Sequence, residues 1–174
     1  MTDIIKAMNP TAPLTTEEAA LAAAKVSAVG MVIGGVNQAV EAWYVSTPQG
    51  AAATAAATAA MMEQMTGQTP DAAQLAQQSG GGLMVAGAFV VLALILAFVQ
   101  WRKPNTVLPI LFLVLVTFAF GSACLGLFMP ALGGGQPLWL TLFSLVTMAI
   151  AAIMHIASIR GVSALNRIRM AAAQ

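Results

Sequence analysis

At 174 residues, 59% hydrophobic and only 7% charged, with a mean hydropathy of +0.85, this chain is far from a water-soluble domain, in which about a quarter of residues carry charge. Its formal charge of +1 comes with no basic, aromatic-rich surface, which argues against nucleic-acid binding. Cys124 is the only cysteine, so neither an internal disulfide nor a cysteine metal cluster can form.

Residues 1–15 read as a cytoplasmic tail. They lack the basic start, apolar core and cleavage site of a signal peptide, so membrane entry is expected to rest on retained helices. Thr15 and Glu18 fit a capping box, which predicts a helix over 16–46 of about 45 Å at 1.5 Å per residue. Its apolar part, 26–45, is interrupted by Asn37, Gln38 and Glu41 and ends at Trp43 and Tyr44. We read it as the first membrane span, with aromatic residues at the outer interface. A helix lying along the membrane surface is the competing reading.

Residues 47–82, rich in Ala, Thr and Met and without Lys or Arg, read as an extracytoplasmic helical loop. Thr47-Pro48 and Thr69-Pro70 each look like a cap followed by a first-turn proline, and Gly67 and the Ser79–Gly82 run look like stops. The uncharged stretch 83–101 is the second span and closes on Trp101, Arg102 and Lys103. A tight connection leads to the third span, 106–129, with Pro109 in its first turn, where a missing N–H costs least. A flexible turn then precedes the fourth span, 137–160, and a basic tail, 161–174, expected to continue that helix into the interface.

Four crossings place all seven Lys and Arg residues on one side, as the positive-inside rule requires. The expected fold is therefore an all-α integral membrane protein with four transmembrane helices and both termini cytoplasmic. Arg102, Lys103, Arg160, Arg167 and Arg169 would meet anionic lipid headgroups. The bacterial inner membrane is the expected location.

On the first span, Ser27, Gly30, Gly34, Asn37 or Gln38, and Glu41 recur at steps of three and four and share a face. We read that face as helix packing, with Gly30 and Gly34 allowing close approach and the polar groups bonding across an interface. The alternative is an ion or proton path through Glu41. The fourth span carries a matching row: Ser144, Thr147, Ala151, His155 and Ser158. His155, the only histidine, is read as a neutral imidazole bonded to another helix; proton exchange and metal or haem ligation are the sharper possibilities. The third span offers Thr117, Gly121, Ser122, Cys124 and Gly126 as a small-residue surface.

Met61, Met62 and Met65 form a thioether cluster in the loop. Such ligands favour Cu(I), although methionine is as readily a docking residue. No phosphate loop, zinc pair or nucleophile elbow is present, and no cofactor is expected. The resulting expectation is a non-enzymatic membrane subunit or scaffold, partnered by lipid and by other membrane subunits or copies of itself. A self-associating carrier or channel using Glu41 and His155, and copper handling by the loop methionines, are the alternatives.

Overall fold

The computed structural model describes residues 2–128 and 135–174, and among them every regular element is helical. The elements are α1 (Thr2–Ala7), α2 (Glu17–Ser46), α3 (Pro48–Thr66), α4 (Ala72–Arg102), α5 (Val107–Phe128) and α6 (Leu138–Ala172). Four of them, α2, α4, α5 and α6, are long and apolar enough to cross a membrane. The expected turn between the third and fourth spans lies largely outside the described residues, as does Met129.

Local chemistry fixes the helix ends. The cap of α2 is Thr16 rather than Thr15: its side chain accepts from the Ala19 N–H at 3.2 Å. Glu17 and Glu18 then occupy the first turn, where carboxylates complement the positive end of the helix dipole. Thr47 is extended, at φ −76° and ψ 152°, and ends α2 while capping α3 through the Gly50 N–H at 3.1 Å. Pro48 stands in the first turn of α3, and Gly67 closes that helix in the left-handed conformation at φ 70°, which only glycine adopts without strain.

Two loop expectations are corrected. The cap of α4 is Asp71, not Thr69: Asp71 accepts from the Gln74 N–H at 2.8 Å, and the Gln74 side chain accepts from the Asp71 N–H at 3.2 Å. Nor do the glycines at 80–82 stop anything, since α4 runs through them without a break. Each glycine costs roughly 1 kcal/mol of helix propensity, but a capped turn before it and a long apolar helix after it allow propagation across the weak stretch. The second apolar segment is thus the latter part of a longer helix.

In the bundle α2 is central. It packs along α6 and α4 and only grazes α5, which rests on α6 instead. The core clusters reflect this: Ala28 and Met31 meet Ala93, Ala97 and Phe112, while Ala20 meets Ala164 and Leu165. The cationic residues gather toward one end of the bundle. There Arg169 Nε lies 2.9 Å from Glu17 Oε1, both side chains being exposed, and the Lys25 ammonium sits 5.4 Å from the centre of the Trp101 ring. The helical hairpin of α3 and the start of α4 stands at the other end.

Candidate functional site

The two polar rows read from the sequence face each other. α2 and α6 run antiparallel, and partner residues follow in order along the seam. At the α3 end, Tyr44 meets Trp139 edge to face with centroids 6.3 Å apart. One turn further in, Glu41 Oε1 accepts from Ser144 Oγ at 2.6 Å and from Asn37 Nδ2 at 3.0 Å. With its amino group committed to Glu41, the Asn37 amide turns its Oδ1 toward Thr147, which donates through Oγ1 at 2.9 Å. The carboxylate, the amide and two hydroxyls thus form one connected network between helices. Each such bond between membrane helices contributes on the order of 0.6 kcal/mol, so the network sets register more than it supplies stability.

Gly30 lies deeper. A Cβ there would stand 3.3 Å from both His155 Cε1 and Met154 Cβ, so the absent side chain is what lets α6 approach. His155 is fully buried, its Nδ1 2.8 Å from Ser27 Oγ and its ring 5.8 Å from that of Phe112. Its Nε2 meets no hydrogen-bond partner among the described residues. Either tautomer therefore leaves one ring nitrogen without a protein partner among the described residues, at a desolvation cost of about 1–3 kcal/mol. No hydrogen bond among the described residues joins His155 to the Glu41 network.

At the cationic end the seam closes around the Ala24 carbonyl. Ser158 Oγ donates to it at 2.6 Å and Gln100 Nε2 at 3.1 Å. Gln100 also donates to the Asn105 carbonyl at 3.1 Å and accepts from the Asn105 N–H at 3.3 Å, while Asn105 Oδ1 caps α5 through the Leu108 N–H at 3.0 Å. One fully buried amide thereby ties α2, α4 and the α4–α5 connection together. Beside it, a Cβ on Gly161 would overlap the Ala24 nitrogen and lie 2.7 Å from the Ala23 carbonyl carbon. The helix backbones are in direct contact here.

Several expected packing residues stand elsewhere. Gly34 has nothing within 4 Å of a Cβ position and instead lines, with Asn37, Gln38, Phe89 and Thr147, a cavity of about 90 Å³ among α2, α4, α5 and α6. On α5, Thr117 bonds only to the Leu113 carbonyl of its own helix at 2.7 Å, and Gly121 has no neighbour within 4 Å. Thr117 and Gly121 thus face outward, whereas Ser122 and Gly126 of the same surface border a cavity that reaches Glu41. On α3, Met61 and Met65 are exposed, and among the described residues no group of three or more His, Cys, Asp or Glu side chains is placed to hold a metal.

Gln100 and Gly161 were not singled out from the sequence. Gln100 is the one amide in the otherwise apolar run 83–101, and a polar side chain in such a run is itself a signal of a buried partner. Gly161 continues the α6 row by three residues beyond Ser158. Comparison with protein-family models, curated proteins and solved structures finds no match.

Proposed function

We propose that this chain is a non-enzymatic, four-span subunit or scaffold of a larger membrane assembly, resident in a bacterial inner membrane with both termini in the cytoplasm and α3 outside. The observation that carries the reading is the hairpin. α3 is a 19-residue helix with one buried residue, Gly50, and its Ala-rich flanks pack lightly on the rest of the chain. Most helices of this length owe their persistence to an apolar face packed on other elements, and a smooth alanine surface with projecting methionines suits docking. The outward small-residue row of α5, Thr117 and Gly121, supports a second contact at membrane depth, with another subunit or a second copy.

Purification of the full chain in mild detergent, with mass spectrometry of whatever accompanies it, tests the assembly. A stable complex or homo-oligomer is expected; a monomer that travels alone contradicts it. Sidedness is read separately by labelling single cysteines placed at Arg102, Arg167 and Glu63. The first two are expected to react only from the cytoplasm and the third only from outside.

A further inference from the structure

Glu41 stands where two cavities meet. One, of about 280 Å³, lies among α2, α3 and α4 and includes Gln38, Thr54, Thr58 and Leu83 in its walls. The other, of about 350 Å³, lies against α5 and α6 and includes Phe118, Ser122, Thr141 and Met148. Glu41 and Gln136 belong to both. These sizes approach the lower end of ordinary small-molecule sites, roughly 300–1,000 Å³, which combine mostly apolar walls with a few placed polar groups.

The electrostatics of the junction are one-sided. Both hydrogen bonds to the carboxylate fall on Oε1, and among the described residues nothing donates to Oε2. No Lys, Arg or His occurs anywhere from residue 26 to residue 101, and the ion pair among the described residues, Arg169 with Glu17, is at the far end of the bundle. A half-buried carboxylate in an apolar helix is costly unless a positive group meets it. Among the described residues nothing is placed to do so.

The surroundings select the kind of cation. One carboxylate among neutral amide and hydroxyl oxygens gives the site a charge of −1, too little for divalent ions, which are usually held by several carboxylates. The apolar walls favour a cation carrying hydrocarbon over a bare, strongly hydrated ion. We propose that Glu41 and the cavities it joins form a binding site for a monovalent organic ammonium group. The site does not depend on the assembly reading above.

The test is calorimetric titration of the full chain, in neutral maltoside micelles at constant ionic strength, with tetraethylammonium chloride. Saturable binding is expected, weakened at least ten-fold by Glu41→Gln and unchanged by Glu63→Gln on exposed α3. Should Glu41→Gln fail to fold, Ala55→Phe and Ala123→Phe each fill space in one cavity while keeping the Glu41 side chain, and loss of binding in at least one is expected. Absence of saturable heat, equal affinity in Glu41→Gln, or equal displacement of the probe by sodium would overturn the proposal. Added lipid separates the sources of the group. Competition by phosphatidylethanolamine alone assigns a lipid headgroup, no competition by either lipid assigns a free ammonium compound, and equal competition by phosphatidylglycerol counts against an ammonium site.

Discussion

The α2–α6 pair and the α4–α5 pair are built from opposite materials. α4 and α5 are the most apolar of the four long helices and the least buried within the protein, whereas α2, the least apolar, is buried most. In water the order would be reversed, because burial there follows apolarity. In lipid, apolar side chains are as well solvated outside as inside, so helix association rests on close backbone approach and interhelical hydrogen bonds. The seam between α2 and α6 has both, at Gly30 and Gly161 and along the Ser144–Glu41–Asn37–Thr147 network. α4 and α5 instead keep Val91, Ile95 and Phe98, and Ile110, Val114 and Phe118, on their exposed faces.

That contrast is open to direct attack. The largest effect is expected from Gly161→Val, which inserts three carbons where α2 and α6 backbones already touch; overpacking of this kind costs about 3 kcal/mol or more when backbone blocks the way. Loss of the monodisperse peak in size-exclusion chromatography, or a large fall in Tm, is the expected reading, and wild-type behaviour would mean that the helices do not meet there. Gln100→Leu comes next, at about 1–3 kcal/mol, because it removes the partner of the half-buried Asn105 N–H and carbonyl; steric trapping in bicelles measures it.

Smaller still is the coupling between Asn37 and Thr147. A double-mutant cycle of Asn37→Leu and Thr147→Val is expected to give on the order of 0.6 kcal/mol, and a value indistinguishable from zero would remove the bond from the seam. Least is expected at Gly34 and Gly121. Replacement by alanine meets open space at both and is expected to leave thermal stability unchanged or raise it by up to about 1 kcal/mol through helix propensity. A clear loss at Gly34 would show that α6 approaches α2 there as closely as at Gly161.

Much of this architecture was legible in the sequence because it is written in charge and in spacing. Uncharged runs marked the long helices, and the rows containing Glu41 and His155 marked the faces that would be covered. What periodicity could not give was the pairing: Ser27, Gly30 and Glu41 announce a buried face without saying that Ser144 to Ser158 would cover it. Gly34 shows the same limit, since its four-residue spacing from Gly30 is right and yet it borders a cavity. The start of α4 escapes the sequence for a different reason: three consecutive glycines lower helix propensity without forbidding helix, and the capping groups that decide the matter, Asp71 and Gln74, lie six or more residues before Gly80. Gln100 escaped notice because a single amide in an apolar run has no periodicity at all.

The antiparallel α2–α6 seam is the claim on which the fold and the proposed ammonium site both stand, and one cross-link tests it. A Cβ on Gly30 would lie 3.3 Å from Met154 Cβ, close to the roughly 3.5–4.5 Å that a disulfide spans. With Cys124 replaced by serine, Gly30→Cys combined with Met154→Cys is expected to oxidise to an intramolecular disulfide in native membranes, seen as a dithiothreitol-sensitive shift on denaturing gels, while Gly34→Cys with Met154→Cys remains reduced. Efficient linkage of the second pair, or none of the first, would contradict the seam.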